Sequence, residues 1–210
     1  MKLQEKTLEI VRRLKEQYAD PGTALNFKTP FELLVATILS AQTTDVLVNK
    51  VTGSLFEKYR SVKDFASVSP EILESDMRSI NFYRTKAKNI HGAAKLILEK
   101  FKSEVPRTMD DLTSLPGVAR KTANIVLFSA YGMNEGIAVD THVKRLSERL
   151  GLTKNDDPSK IEADLMSLVP RSEWGTLTHL LISHGRKICQ AKKPKHKECV
   201  LYDICLSRNI

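Results

Sequence analysis

A lysine and an aspartate stand at two expected helix starts in residues 115–140, LPGVARKTANIVLFSAYGMNEGIAVD. Pro116-Gly117 predicts a tight turn, because proline presets φ and glycine accepts positive φ. The residues after the turn, 118–130, are mostly good helix formers, so Lys121 is expected in the first turn of a helix. Free N–H groups and the positive end of the dipole make such a helix start an anion site.

The pair Lys121 and Asp140 could perform covalent chemistry. An unprotonated lysine amine is a nucleophile that forms Schiff bases, and a carboxylate can accept its proton or stabilise developing positive charge. Simpler alternatives exist for both residues. Lys121 could be an ordinary surface lysine, and Asp140 could only cap a helix over 141–150, since aspartate is a favoured N-cap.

The elements that position these residues are predicted to be helices throughout. Apolar residues recur at helical spacing, for example at Leu8, Val11, Leu14 and Tyr18, and no alternating strand pattern occurs. The fold class is therefore expected to be all-α. Further helix starts are predicted where a capping residue precedes proline, at Thr29-Pro30, Ser69-Pro70 and Asp157-Pro158.

Composition narrows the class of partner. The 210 residues are 41% hydrophobic and 28% charged, with a net charge of +8 and a pI near 9.4. These proportions are ordinary for a globular protein. The positive charge favours an anionic partner, among which nucleic acid is one candidate. No apolar run reaches membrane-spanning length and no signal-peptide core follows Met1, so we expect an intracellular, cytoplasmic, nucleoid-associated monomer.

Three cysteines lie close together near the C-terminus, at positions 189, 199 and 205. An odd number of clustered cysteines argues against a disulfide framework and favours a metal centre.

Several motifs in one order resemble the endonuclease III family of helix-hairpin-helix DNA base-excision glycosylases. The 115–140 segment is similar to the hairpin, loop and catalytic aspartate of that family. LSAQTTD (39–45) looks like the segment at the mouth of the DNA cleft, and NFYRTKAKNI (81–90) like the wedge loop. VDTH (139–142) resembles the aspartate segment, and HGRKIC (184–189) leads into the cysteines.

The resemblance implies a two-lobed helix-hairpin-helix glycosylase fold with a C-terminal metal-cluster loop. One lobe is expected to be a helical bundle of residues 22–132 that includes the hairpin. The other would combine residues 1–21 with 133–210. Lys121 and Asp140 are then expected to face each other across a cleft that holds a DNA strand.

The implied activity is that of a bifunctional DNA glycosylase and AP lyase, acting on double-stranded DNA with damaged bases or abasic sites. Lys121 would attack C1′ and form a Schiff base, which requires an unprotonated amine; burial and nearby cations, Arg120 and Lys144, would favour that state. A lysine here and a cysteine cluster favour oxidised pyrimidines as substrates. The alternatives are a glycosylase for another lesion, such as mismatched thymine, and a non-catalytic DNA-binding module.

The resemblance also implies how DNA is held. Gln42 and Phe82 would fill the gap left by a flipped nucleotide, although Phe82 could instead be a core aromatic and Gln42 a helix-end hydrogen bonder. Ala119 stands where the family usually has glycine, which is tolerable if φ there is negative. Further DNA contacts are expected from Arg84, Lys86, Gly117, Ala119, Arg120, His142 and Lys144.

The C-terminal cluster departs from the family at one ligand. The family pattern Cys-x6-Cys-x2-Cys-x5-Cys binds a 4Fe–4S cluster, and here the residues at those spacings are Cys189, His196, Cys199 and Cys205. Imidazole is a competent iron ligand, so a cluster with His196 as the fourth ligand is expected. Zinc in a Cys3His site and the absence of any metal are the alternatives.

Overall fold

The structure is a computed structural model that describes residues 2–19 and 21–208. Within these ranges the chain is helical and has no strand, so the all-α prediction is confirmed. None of the described helices is long and apolar enough to cross a membrane. The α-helices are α1 (Leu3–Gln17), α2 (Pro30–Ser40), α3 (Asp45–Lys58), α4 (Val62–Ser67), α5 (Pro70–Asp76), α6 (Tyr83–Lys100), α7 (Met109–Thr113), α8 (Arg120–Tyr131), α9 (Thr141–Leu150), α10 (Pro158–Leu168) and α11 (Trp174–Lys187), with short 3-10 turns at Arg171–Glu173, His196–Glu198 and Tyr202–Ile204.

The described residues form two compact units, and the first is residues 24–132. Its centre is α2, which buries side chains on all sides. A helix that is apolar all round is expected at such a central place. Helices α3, α6 and α8 pack against α2, and α4 and α5 pack against α6. The hairpin helices α7 and α8 contact each other at the end of this unit.

The second unit combines the described parts of 1–23 and 133–210, and its core is formed by α1, α9, α10 and α11. On α1 the buried apolar residues are Ile10, Val11 and Leu14. Leu8 is 43% exposed, so its expected place in the buried stripe is wrong. The buried face of α1 is centred between Ile10 and Leu14, which turns Leu8 toward solvent.

The predicted helix starts are found where a capping residue precedes proline. Thr29 caps α2, its hydroxyl accepting a hydrogen bond from Glu32 N at 3.2 Å. Asp157 caps α10 through its Oδ1, which accepts from Ser159 N and Lys160 N at 3.0 and 3.1 Å. Ser69 precedes α5 without a side-chain capping bond to the backbone, and Pro70 supplies the helical φ of the first position.

Candidate active site and metal centre

The turn between α7 and α8 is packed closely against α6. Gly117 has a φ of +77°, and a Cβ placed there would lie 2.7 Å from Nδ2 of Asn89. One turn further along α6, a Cβ on Gly92 would lie 3.2 Å from Cγ of Pro116. Position 117 therefore requires glycine for its left-handed backbone and for its contact with Asn89.

Gly117→Ala should lower the free energy of unfolding by about 1–3 kcal/mol, the cost of a strained backbone conformation. Alanine is strained at positive φ, and its methyl group meets Asn89. Chemical denaturation followed by circular dichroism measures this change.

Gly53→Ala is the matched control in the same unit: Gly53 lies within α3, and nothing stands within 4 Å of its added Cβ. That control should be neutral or stabilising, since alanine is the better helix former. Equal losses in both variants would contradict the conformational argument.

Helix α8 begins directly after the turn. Ala119 is its N-cap with a φ of −87°, so alanine is tolerated there, as predicted. Arg120 and Lys121 are the first two helical residues, and both side chains are exposed. The predicted burial of Lys121 is therefore wrong, because Lys121 lies on the side of α8 opposite the apolar face formed by Ala123, Val126 and Leu127. The backbone N–H groups at a helix start are not used by the hydrogen bonds of the helix itself, so such a turn can bind an anion.

Asp140 is the N-cap of α9 in the second unit. Its Oδ1 accepts hydrogen bonds from the backbone N–H groups of His142 and Val143, both at 2.8 Å. The preceding loop is fixed by two side chains: Ile137 N donates to Oε1 of Glu162 at 3.2 Å, and Ala138 N donates to Oγ1 of Thr178 at 3.1 Å. Both capping hydrogen bonds of Asp140 end on Oδ1, which holds the carboxylate in one orientation. Neither of these two bonds uses Oδ2.

His142 follows Asp140 and is half-buried against Gly185. Burial lowers the pKa of His142, the nearby carboxylate of Asp140 opposes that shift, and Arg145 and Arg186 add to it. A guanidinium N–H of Arg145 lies 3.1 Å from Nδ1 of His142. A backbone hydrogen bond with Gly185 raises the pKa of the ring and opposes the effect of burial. His142 is therefore held between Arg145 and the backbone of Gly185.

Lys144, predicted as a DNA contact and as a cation close to Lys121, is bound within its own unit. Its ammonium donates to the backbone carbonyl of Asp156 at 3.0 Å and lies 3.1 Å from Oδ1 of the same residue. This ion pair is half-exposed, so it is weak and screened by salt. Lys144 can leave it for a phosphate at small cost.

The two predicted gap-filling residues are exposed in the first unit. Phe82 is 63% exposed at the N-cap of α6, which excludes the alternative of a core aromatic. Gln42 is exposed in the loop after α2. Arg84 extends its guanidinium over the ring of Tyr83 at 5.1 Å, and its side chain is 75% exposed.

Lys86, predicted to face DNA, is buried. Only 5% of its surface is exposed, and its ammonium points into the loop between α2 and α3. The prediction is wrong because Lys86 lies on the same face of α6 as Ile90, Ala93 and Ile97, which are all buried.

The four candidate metal ligands line one small cavity of about 30 Å³ in the second unit. Within the described ranges, no three His, Cys, Asp or Glu side chains stand at metal-ligand geometry. The donor set nevertheless fits a thiophilic centre, since it combines three thiols with one imidazole. Burial raises the pKa of the Cys199 thiol, and Cys189 and Cys205 raise it further. The thiolate is the form of cysteine that binds a metal, and a bound cation favours it.

His196 has one ring nitrogen engaged. Its Nδ1 lies 2.7 Å from the carbonyl oxygen of Arg208. A carbonyl can only accept, so Nδ1 must donate to it, which leaves Nε2 as the lone-pair nitrogen. This type of bond orients metal-ligating histidines in proteins. In the neutral ring, Nε2 is therefore the nitrogen with a lone pair for a metal.

Arginine side chains anchor the cysteine-containing loop to the helices of its unit. Arg145 donates to the carbonyl oxygens of Gly185 and Cys189, both at 3.0 Å, and Arg149 donates to the carbonyl of Gln190 at 2.9 Å and to Sγ of Cys189 at 3.3 Å. Hydrogen bonds from Arg145 and Arg149 of α9 therefore attach the loop to its unit independently of any metal. Its exposed lysines are Lys192, Lys193, Lys195 and Lys197.

Comparison with known proteins places the chain in a family. A sequence model of the HhH-GPD superfamily of base excision DNA repair proteins matches residues 35–171. The chain belongs to this family. Endonuclease III of Synechocystis sp. is 50% identical to it over 203 residues, 97% of this chain and 93% of the relative. Endonuclease III of Bacillus subtilis is 49% identical, over 92% of this chain and 88% of the relative.

Solved structures with a similar fold support the same assignment to a family. A trapped covalent intermediate of endonuclease III with DNA has a TM-score of 0.93 and 43% identity, covering 99% of this chain and 98% of that one. A thermostable thymine-DNA glycosylase has a TM-score of 0.87 at 21% identity, which shows a common fold. The predicted helix-hairpin-helix glycosylase fold is thereby confirmed.

Three residues that position the HhH-GPD site elements were missed from the sequence. Asn89 supports the hairpin turn at Gly117, Arg145 joins His142 to the cysteine loop, and Asn81 contacts the Gln42 backbone. For Asn89 a signal existed, because it lies three residues before Gly92 on the face of α6 that meets the turn. The contacts of Asn81 and Arg145 join segments far apart in sequence, which no local pattern indicates.

Proposed function

We infer that this chain is a bifunctional DNA glycosylase and AP lyase of base excision repair. The observation that carries this conclusion is a lysine, Lys121, exposed in the first turn of the hairpin helix of an HhH-GPD protein. A close structural relative, endonuclease III, has been trapped as a covalent intermediate with DNA. An accessible amine at a helix start that binds phosphate is suited to form such a bond.

Lys121 is assigned as the nucleophile. Its unprotonated Nζ attacks C1′ of the damaged nucleotide, the N-glycosidic bond breaks, and the base leaves with the bonding electron pair and then takes up a proton. The nitrogen loses a proton and the sugar ring opens, which gives a Schiff base. The imine acidifies the C2′ hydrogen, so loss of that proton expels the 3′ phosphate by β-elimination. Hydrolysis of the imine returns the free lysine.

Asp140 is assigned as the carboxylate of the reaction. It would accept a proton from the Lys121 ammonium or stabilise the positive charge that develops on the sugar. Its two capping hydrogen bonds hold the carboxylate in place. The same side chain thus serves as helix cap and as proton acceptor.

The proposed partner is double-stranded DNA that contains a damaged base or an abasic site. Because a base inside a duplex is inaccessible, the nucleotide must be flipped out, and Gln42 and Phe82 are assigned to fill the gap. Phosphate contacts set position without reading sequence, which suits an enzyme that acts in any sequence. They are assigned to the backbone of Gly117 and Ala119 and to the side chains of Arg84, Arg120, His142 and Lys144.

Oxidised pyrimidines are the proposed substrates, as the family resemblance implies. A panel of duplexes with one thymine glycol, one 8-oxoguanine or one thymine opposite guanine tests this assignment. The largest kcat/KM is expected on thymine glycol. A preference for the mismatched thymine would change the assigned substrate and leave the assigned lyase chemistry unchanged.

A nicking assay on duplex DNA with one abasic site tests the activity itself. The wild-type chain should cut the strand 3′ to the site without added metal and leave an unsaturated aldehyde end. A non-catalytic hairpin module would bind the same DNA and leave it intact. Binding without any cleavage would therefore refute the proposed function.

A 4Fe–4S cluster held by Cys189, His196, Cys199 and Cys205 is the proposed cofactor. It is supported by the unchanged family spacing, by the cavity that all four side chains line, and by the free Nε2 of His196. When bound, the cluster supplies covalent cross-links that fix a lysine-rich segment too short to bury its own core. Zinc bound by the same residues is the rival.

Anaerobically purified protein should be yellow-brown and contain iron and sulfide. His196→Cys restores the family ligand set and should retain the cluster longer in air, because thiolate is the ligand this cluster usually takes. Visible absorbance and metal analysis measure both effects. Lys197→Cys, one residue along the same loop, is the matched control and should give no such gain. Colourless or zinc-loaded protein with full activity would refute the cluster and leave the glycosylase assignment untouched.

A further inference from the structure

Among the described residues of the first unit, four exposed residues other than glycine hold the left-handed backbone conformation that favours glycine: Gln42, Phe82, Lys102 and Ser103. Gln42 has a φ of 54° and Phe82 a φ of 57°. For a bulky aromatic side chain this conformation is a clear outlier, and it persists only where surrounding contacts impose it. Gln42 and Phe82 are the two residues assigned to fill the gap in the DNA. We call residues 41–44 the Gln42 loop and residues 81–83 the Phe82 turn.

The hydrogen bonds that surround Gln42 converge on one side chain, that of Lys86. The ammonium of Lys86 donates to the carbonyl oxygens of Leu39 at 2.7 Å and Ala41 at 2.5 Å, and to Oγ1 of Thr43 at 3.2 Å. These three acceptors bracket Gln42 on both sides, and they use all three donors of the ammonium. Leu39 lies in the last turn of α2, where a cation is favoured by the free carbonyls and the dipole.

The Phe82 turn is connected to Lys86 through the backbone of α6. Lys86 lies one helical turn after Phe82, and its backbone N–H donates to the carbonyl of Phe82 at 3.1 Å, as in any helix start. Nδ2 of Asn81 donates to the carbonyl of Gln42 at 2.5 Å and joins the turn to the loop directly. The buried Lys86 side chain therefore fixes the Gln42 loop to the helix that begins at Phe82.

We propose that Lys86 is a positioning residue that makes the Gln42 loop and the Phe82 turn a single preorganised gap-filling element. The role of this element in filling the gap rests on the proposed function. Its rigidity rests on the hydrogen bonds described above. A loop already fixed in its DNA-filling conformation loses little conformational entropy on binding. A buried lysine at this place therefore serves base flipping rather than phosphate binding.

A double-mutant cycle on duplex DNA with one damaged base tests the proposal. Lys86→Met keeps the length of the side chain and removes its donors, which leaves three carbonyl or hydroxyl acceptors without a partner. We expect a loss of base removal of about 10-fold or more under single-turnover conditions, the size seen when a supporting residue is removed. In a Gln42→Ala/Phe82→Ala background the same substitution should cost less than about 2-fold, since residues that act through one another are not additive.

Two further measurements separate positioning from general stability. β-Elimination on single-stranded abasic DNA needs no gap filling, so Lys86→Met should retain it within about 2-fold, given the variation expected of an uninvolved site. In the DNA-free protein, amide hydrogen exchange should become faster in residues 41–44 and 82–85 and stay unchanged in α8. Lys95→Met, an exposed lysine on the same helix, is the matched control and should change none of these quantities.

The outcomes are distinct. A Lys86→Met loss that is undiminished in the double-alanine background, or equal on both substrates, would overturn the proposal in favour of a purely structural lysine. If Lys86→Met does not fold, Thr43→Val and Asn81→Ala each remove one connection and should show the same non-additivity on a smaller scale. If the wild-type chain cleaves neither substrate, the proposed function fails. Hydrogen exchange then still decides whether Lys86 fixes the two segments.

Discussion

Lys121→Ala should abolish covalent trapping of the protein on abasic DNA by borohydride. Trapping requires an amine that forms an imine with C1′, and alanine supplies none. The covalent adduct is measured as a shifted band on a denaturing gel, and strand cleavage is measured in parallel. Both should fall by at least about 10³-fold, the scale on which removal of a catalytic group acts. Binding to the same DNA should weaken by only about 10-fold, since a single positive charge is lost from the protein.

Lys121→Arg is the matched control for charge. The guanidinium keeps the positive charge and the helix propensity of lysine, so DNA binding should be preserved. It stays protonated at any accessible pH and cannot form the imine, so trapping should be absent here as well. An adduct formed by either variant at the wild-type rate would assign the nucleophile to another amine.

The local elements of this fold were readable from the sequence because each depends on neighbouring residues. The start of α2 at Pro30 follows from Thr29 and proline geometry, and the cap of α9 follows from Asp140. The hairpin turn likewise follows from Gly117, whose positive φ is observed. Such signals act within one helical turn, where a sequence pattern determines geometry directly.

Burial of individual lysines was not predicted correctly, and both errors have the same cause. The positive charge of Lys86 predicts a phosphate contact, yet the residue continues the buried stripe of Ile90, Ala93 and Ile97 at helical spacing. The chemistry assigned to Lys121 predicts a buried side chain, and this side chain is exposed. In both cases the position along the helix, and not the charge or the role, decides which face the side chain occupies.

The candidate metal site shows a second limit of prediction from sequence. Spacing identifies the four candidate ligands, and the structure brings them to one cavity, but spacing cannot say which ring nitrogen of His196 is free. That depends on the carbonyl of Arg208, and the support of the loop depends on Arg145 and Arg149 in α9. Contacts between segments far apart in sequence therefore determine what a local motif can do.

Asp140→Asn should separate catalysis from capping, because the two roles of this side chain need different atoms. The asparagine oxygen can still accept from the N–H groups of His142 and Val143. Since asparagine and aspartate are about equally good N-caps, the free energy of unfolding should change by no more than about 0.5 kcal/mol. The amide cannot accept the proton of the Lys121 ammonium or carry negative charge. Base removal should therefore fall by about 10²–10⁴-fold, the range for loss of a general acid–base group.

Asp157 provides the matched control in the same unit, since its Oδ1 caps α10 in the pattern that Asp140 uses for α9. Asp157→Asn should leave both stability and single-turnover base removal unchanged, and Asp157→Ala should cost about 1 kcal/mol of stability with full activity per folded molecule. Asp140→Ala should show the same stability loss together with the catalytic loss. If Asp140→Asn retained wild-type rates while Asp140→Ala lost only stability, Asp140 would be a helix cap like Asp157, and the carboxylate of the reaction would have to be sought among the other acidic residues of the chain.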